Sequence, residues 1–246
     1  MLTVDRASLV VKRVLAACGL DVRRRRPGQR RLTMGEVLAH VAGLGFRPCT
    51  VIDIGVADGT RELYRAFPNA QLVLVEPLVE YEADLRRLEG EFGARYVLAA
   101  AGSNPGLVTL HVHDSLSSSS LLRETEGEHV DGRPREIPVI TVDRLCDELD
   151  LAGPFLIKAD VQGAELQVLE GAQRTLCQTE LILLEVSLFS FFINGPDFHD
   201  VVRYMRERGF VVYEIFEGHN RPLDGALAQV DVAFVKEEGQ FRTCHW

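Results

Sequence analysis

Acids and glycines at strand ends carry the chemistry this sequence can do. Asp53 lies inside the apolar run Val51-Ile52-Asp53-Ile54, which breaks at Gly55 and meets a further glycine at Gly59. The next apolar run, Leu72-Val73-Leu74-Val75, ends in Glu76-Pro77. A glycine turn lets backbone approach a ligand because no Cβ intervenes. A carboxylate at the neighbouring strand end can accept both hydroxyl protons of a ribose. These residues describe a pocket for the nucleoside half of a cofactor, with Asp53, Gly55, Ala57, Asp58, Gly59 and Glu76 as its expected contacts.

The glycine spacing separates the candidate cofactors. A dinucleotide turn needs G-x-G-x-x-G; counted from Gly55, the later glycines would fall on Ala57 and Thr60. That failure disfavours a nicotinamide-dependent oxidoreductase. The observed acid-x-Gly-x-x-x-Gly resembles the first motif of S-adenosylmethionine-dependent methyltransferases.

A second constellation follows about a hundred residues on, in Leu156-Ile157-Lys158-Ala159-Asp160-Val161-Gln162-Gly163-Ala164-Glu165. The two-residue period of a strand puts Lys158 and Asp160 on one side. Methyl transfer to a hydroxyl requires that the oxygen be aligned, desolvated and relieved of its proton. Asp160 is expected to hold the cofactor's ammonium or orient the acceptor. Lys158 either stabilises a developing alkoxide or forms an ion pair with Asp160, Glu165 or Glu185. Glu185, an acid within the apolar Leu183-Leu184-Glu185-Val186, is a further catalytic candidate, because such acids are rarely buried without a partner. His199 is an alternative general base, and Glu165 suits either catalysis or the capping of a helix N-terminus. If Asp160 and Glu185 occupy adjacent strands they could bind Mg²⁺, an alternative that is not favoured. His111 and His113 share one strand face without a third ligand, which suits a polar sheet face better than a metal site. Phe189, Phe191, Phe192 and Phe198 either line an acceptor pocket or pack the core of their own loop.

With Val51–Gly59, Glu76-Pro77, Thr141-Val142-Asp143 and the Lys158–Ala172 segment taken together, the chain resembles the FkbM family of methyltransferases from about Leu32 to Val235. The Lys-Ala-Asp-Val-Gln-Gly-Ala-Glu segment is the most specific mark. The resemblance implies a class I methyltransferase fold and methyl transfer from S-adenosylmethionine to a hydroxyl of a sugar, glycan or natural-product scaffold. Gln162 stands where the family usually has Glu, and Val56-Ala57 where it commonly has Ala followed by Asn or Ser. A contrasting reading is a cofactor-binding but catalytically silent protein that assists a biosynthetic partner.

The elements that must position these residues follow from periodicity. Apolar positions at helical spacing predict helices over residues 7–18 and 33–44, joined by an arginine-rich loop. From Thr50 the chain alternates strand and helix: strands 50–55, 71–76, 95–100, 154–159 and 181–187, with helices 60–67, 79–92, 163–176 and 197–208. Strands 210–216 and 229–236 close the chain without a crossover helix. The expected fold is α/β, Rossmann-like, with a mostly parallel seven-stranded sheet, an antiparallel C-terminal edge hairpin and N-terminal helices. Between Gly102 and Pro138 only Val108–His113 alternates like a strand. The serines from Ser115 to Ser120 and the polar stretch 124–136 are expected to form a partly ordered segment over the sheet's C-terminal edge.

Composition bounds the rest. The 246 residues are 46% apolar, enough for one substantial core, so a methyltransferase domain over 48–246 with an N-terminal helical extension over 1–47 is expected. Lys and Arg number 27 against 36 Asp and Glu, a formal charge of −9, which argues against nucleic acid as a partner. Arg23–Arg26 with Arg30 and Arg31 form the one basic cluster, read as a solvated loop. Five scattered cysteines without C-x-x-C suggest reduced thiols and a cytoplasmic setting. The most hydrophobic stretch, 181–193, holds Glu185 and falls short of the roughly 18–20 residues of a membrane span. The partner expected is therefore a small-molecule or glycan acceptor; a homo-oligomer is left open.

Overall fold

A computed structural model describes residues 30–243. The helix expected over 7–18, most of the arginine-rich loop, Cys18 and Cys244 lie outside them. The compact unit that holds the sheet begins at Leu32. Its first helix, α1 (Met34–Gly43), starts at the N-cap Thr33, whose hydroxyl accepts the Glu36 amide. The sequence pattern places this helix in the N-terminal extension; in the structure it buries Val37, Leu38 and Val41 in the same cluster as strand residues Val51, Leu72 and Leu156.

The strands β1 (Thr50–Ile54), β2 (Gln71–Glu76), β3 (Arg95–Leu98), β7 (Phe155–Ala159), β8 (Thr179–Ser187), β9 (Phe210–Asn220) and β10 (Leu227–Lys236) form a seven-stranded sheet in the order β3-β2-β1-β7-β8-β10-β9. Every pair from β3 to β8 is parallel, and β10 runs antiparallel to both β8 and β9. The hairpin lies at the edge as expected, with β9 outermost and the reversed strand β10 one place in. This is the class I methyltransferase arrangement.

Alternation along the strands divides the core into two layers. Ile52, Ile54, Val73, Val75, Ile157 and Ile182 meet α4 (Val142–Leu149), α5 (Glu165–Glu170), α6 (Gln173–Leu176) and α7 (Phe198–Glu207) on one face. Val51, Leu72, Leu74, Leu156 and Leu183 meet α1, α2 (Arg61–Ala66) and α3 (Glu82–Phe92) on the other. Asp53 and Lys158 interrupt this second face and are register partners on β1 and β7.

Three local results differ from expectation. The helix expected over 163–176 is two short helices, broken at Gly171, where a Cβ would lie 2.1 Å from the Gly102 carbonyl oxygen. Part of the stretch read as a polar loop is strand β6 (Arg133–Ile140), which pairs antiparallel with β5 (Gly106–Val112) and parallel with the short β4 (Ala100–Ala101). Pro134 and Pro138 masked it, but β4 reaches only Val139 and Ile140, so the proline-bearing part is an open edge where no ladder donor is missed. Helix α4 was also not anticipated. Thr141 caps it, and Asp143 accepts the backbone amides of Arg174 and Thr175 at the start of α6. The Thr141-Val142-Asp143 motif is thus a structural clasp away from the strand ends.

Candidate active site

A cavity of about 430 Å³ opens at the carboxyl ends of β1, β2, β7 and β8, with the β9–β10 hairpin as one wall. Strand order reverses between β1 and β7, the place where open α/β sheets bind ligands. One half is largely apolar, lined by Pro77, Leu78, Tyr81, Ala100, Ala101, Leu110, Leu116 and Leu121. The other is polar, lined by Asp160, Gln162, Glu185, His219 and Gln229. Gly55, Ala57 and Glu76 lie along its wall, together with Ser117, Ser118 and Ser119 from the serine run. The expected position of that run, over the sheet's C-terminal edge, therefore agrees with the structure.

Gly55 has φ +73°, and a Cβ there would sit 1.8 Å from the Asp160 carbonyl oxygen. Only glycine lets the β1 and β7 ends approach so closely. Ala57 also takes a positive φ of 48°. Its amide donates to Oε2 of Glu76 at 3.0 Å, and the Leu78 amide donates to Oε1 at 2.9 Å. These bonds fix the Glu76 carboxylate and leave it lone pairs to accept further donors. Burial pushes the Glu76 pKa up, against the pull of the Ala57 and Leu78 amides.

Asp53, Asp58 and Gly59, expected among the ligand contacts, do not line the cavity. At Gly59 a Cβ would meet Leu88 Cδ1 at 2.6 Å, so its smallness packs the turn onto α3. The Asp58 carbonyl accepts from Arg61 at 3.3 Å. Asp53 is fully buried behind the turn, where Oδ2 accepts the Tyr64 hydroxyl at 2.5 Å.

Lys158 also stands behind the cavity wall. Its Nζ lies 3.3 Å from Asp53 Oδ1 and 3.6 Å from Asp160 Oδ2, and it donates to the Gly55 carbonyl at 3.2 Å. Burial alone would favour the neutral amine, but Asp53 and Asp160 outweigh it and hold the ammonium charged. Of the two roles weighed for Lys158, the geometry matches the ion pair. Asp53 rather than Glu165 or Glu185 is the additional partner.

In the polar half, Gln162 Nε2 donates to Asp160 Oδ1 at 3.1 Å and to Glu185 Oε2 at 3.0 Å. Gln229 Nε2 donates to the same Oε2 at 2.8 Å. Burial, then the charges of Asp160, Glu165 and Asp231, push the Glu185 pKa up to about 8. Burial likewise raises Glu165 to about 7, where Oε1 accepts the Val161 and Gly163 amides at 3.2 and 3.1 Å. Glu165 therefore caps the turn after β7 and does not line the cavity. Among the described residues no group of three or more His, Cys, Asp or Glu could hold a metal ion. Asp160 and Glu185 do come from adjacent strands, but an amide donor stands between them.

His199 is exposed in the first turn of α7 and is not part of the cavity wall. His111 and His113 do not line it either, and His111 bridges to Ser120. None of the four phenylalanines reaches it. Phe192 packs over Gly163, where a Cβ would meet its ring at 2.6 Å, and Phe189 lies under the Arg221 guanidinium at 4.1 Å. His219, Gln229 and Tyr81 were not anticipated. Gln229 and Asp231 alternate as polar residues within an apolar strand, the same signal that singled out Glu185. His219 became visible only because β9 runs on to Asn220, opposite Gln229.

The chain is similar to known methyltransferases. The family described as Methyltransferase FkbM domain matches residues 53–212. The 2-O-methyltransferase NoeI of Sinorhizobium fredii (strain NBRC 101917 / NGR234) is 31% identical over 169 residues, covering 62% of this chain and 69% of that protein. Among solved structures, magnesium protoporphyrin IX methyltransferase from Synechocystis PCC 6803 with bound SAM is 10% identical with a TM-score of 0.44, over 96% of this chain and 100% of that one. The 1,6-didemethyltoxoflavin-N1-methyltransferase of Burkholderia thailandensis is 10% identical with a TM-score of 0.43, over 82% of this chain and 77% of that one.

Proposed function

The chain belongs to the FkbM methyltransferase family and is an S-adenosylmethionine-dependent methyltransferase, and on that premise we propose that it methylates a hydroxyl oxygen of an uncharged sugar, glycan or natural-product acceptor. One observation carries this reading. A single cavity joins Glu76, a carboxylate held by two backbone amides, to Glu185, a carboxylate whose pKa burial pushes up, with the Gly55–Asp160 contact between them.

The residues present fit the cofactor. The Gly55 cradle, which a Cβ would fill, suits the methionine portion. Glu76 suits the ribose hydroxyls, and Pro77, Leu78, Tyr81 and Ala100 offer apolar surface for the adenine. When bound, S-adenosylmethionine supplies a methyl carbon on a sulfonium, whose sulfur departs as a neutral thioether. Asp160 orients the acceptor hydroxyl or the cofactor's ammonium, with Lys158 fixing it from behind. Glu185 takes the hydroxyl proton as the new carbon–oxygen bond forms. Both amide donors to Glu185 fall on Oε2, which supports Oε1 as the proton-accepting atom. Such a base contributes roughly 10²–10⁴ in rate.

Charge and relationship support the acceptor class. Among the described residues no Lys or Arg lines the cavity, whereas Glu76, Asp160 and Glu185 do. An acceptor carrying phosphate or carboxylate would find no compensating cation there. The relative NoeI is by its name a 2-O-methyltransferase.

The test is transfer of labelled methyl from S-adenosylmethionine to paired neutral and carboxylated glycosides, and to neutral phenolic natural products. Alkali-stable methyl ether on neutral members is expected. Label found only as methyl ester, or only on nitrogen, would overturn the proposal.

A further inference from the structure

Gln162 has no assigned role in the chemistry above, yet it is the residue through which the two carboxylates of the polar half meet. Its Nε2 reaches Asp160 Oδ1 at 3.1 Å and Glu185 Oε2 at 3.0 Å. A primary amide has two N–H bonds, so one nitrogen can serve both acids at once. The backbone around it is built to hold that pose. Gln162 adopts φ +53°, a conformation uncommon outside glycine. Its carbonyl accepts the Ser120 hydroxyl at 2.6 Å, and Ser120 is fully buried. The neighbouring amides of Val161 and Gly163 are taken by Glu165. A strained residue fixed from both sides, with its side chain spanning two acids, indicates a site role over a packing role.

We propose that Gln162 is a positioning residue: its amide clamps Asp160 and Glu185 into one frame, ties up Oε2 of Glu185 together with Gln229, and thereby leaves Oε1 as the atom that takes the acceptor's proton. Two carboxylates brought together without such a donor would repel and part, or share a proton. The inference rests on the reading of Glu185 as the base, but the clamp itself can be measured apart from turnover.

The groups facing Glu185 are Asp160 and Gln162 after β7, Glu165 on α5, and Asp231 and Gln229 on β10, and His219 on β9 lines the same cavity. Apart from the Gln229 amide, Gln162 supplies the donor that favours the ionised form of Glu185. Removing it should therefore raise the pH at which Glu185 ionises.

The experiment is a side-chain carboxyl NMR titration of ¹³C-glutamate-labelled protein, with Glu185 assigned by its loss in Glu185→Gln. Gln162→Asn suits the left-handed backbone but is one methylene too short to span both acids. Gln162→Glu keeps the length and removes the donor. Circular dichroism and the urea midpoint check that each variant is folded. The expected result is an upward displacement of the Glu185 midpoint by about one pH unit in Gln162→Asn and more in Gln162→Glu. In the unaltered protein the Gln162 side-chain amide protons should shift with the same midpoint as Glu185, a readout that needs no variant. An unmoved midpoint in a folded variant, or Gln162 amide protons indifferent to Glu185, overturns the proposal. Full methyl transfer by Glu185→Gln would instead remove Glu185 as the base and leave the clamp standing.

Discussion

Lys158 and Asp53 face each other on neighbouring strands, Nζ 3.3 Å from Oδ1, with only 9% of the lysine side chain and none of the aspartate exposed. No directed hydrogen bond reaches that oxygen among the described residues; the lysine charge is its compensation. The pair lies directly beneath Gly55, whose carbonyl Lys158 also holds. It couples the interior of the sheet to the turn that lines the cavity.

Lys158→Met leaves the Asp53 carboxylate buried without its cation, whereas Asp53→Asn leaves Lys158 its 3.6 Å contact with Asp160 Oδ2. Lys158→Met should lower stability by about 3–5 kcal/mol and Asp53→Asn by less, whereas the double variant should recover part of the loss. Urea denaturation of the four proteins checks this. Additive losses would mean that the two side chains act independently.

Gly55→Ala introduces a methyl where the Asp160 carbonyl lies 1.8 Å away and imposes φ +73° on an L-residue. The β1 and β7 ends must separate, so S-adenosylhomocysteine affinity should fall at least about tenfold, with strain of roughly 1–3 kcal/mol in stability. Calorimetry measures both. Gly59→Ala, which meets Leu88 instead, should cost stability more than affinity.

Glu76→Gln keeps the size of the side chain but replaces one acceptor oxygen with a donor, which faces a backbone amide or a ribose hydroxyl. Loss of charged hydrogen bonds of about 1.5–3 kcal/mol corresponds to weaker cofactor binding by roughly 10- to 100-fold. Unchanged affinity would remove Glu76 from the ribose.

Glu185 titrates near 8 in the folded protein, against about 4.3 in an unfolded chain. Between those values the folded state keeps a proton that the unfolded chain has released, so stability falls as pH rises through the window. Glu165 and Asp231, each raised to about 7 chiefly by burial, act in the same direction. Urea midpoints should be higher at about pH 5 than at about pH 8, and the difference should shrink in Glu185→Gln. With Glu185 as the proposed base, turnover is expected to have the opposite slope, since that base must be ionised. It should rise toward pH of about 8, and Glu185→Gln should lose about 10² or more in rate together with that limb.

Much of this was legible in the residues. Val51–Gly55 and Leu72–Glu76 announced the two strands and the turn, because apolar runs ending in glycine or acid have few other uses in an α/β chain. Lys158 and Asp160 were correctly placed on one side by the strand period. Sequence could not tell a residue facing the ligand from one facing the core beside it. Asp53 and Gly59 belong to the first motif yet point into packing, since their neighbours Tyr64, Leu88 and Lys158 come from elsewhere in the chain. His219 and Gln229 were hidden because a hairpin's length, and so the reach of its tip, depends on pairing rather than on local pattern. Strand β6 was hidden by prolines that only an open edge tolerates.

Glu76 and Glu185 are proposed to mark the cofactor and chemistry ends of one cavity. The most direct measurement is a crystal structure with S-adenosylhomocysteine bound. The ribose hydroxyls are expected on Glu76, the homocysteine chain over Gly55, and open space bounded by Asp160, Glu185, His219 and Gln229. A nucleoside seated against Glu185, or bound outside the cavity, would contradict it.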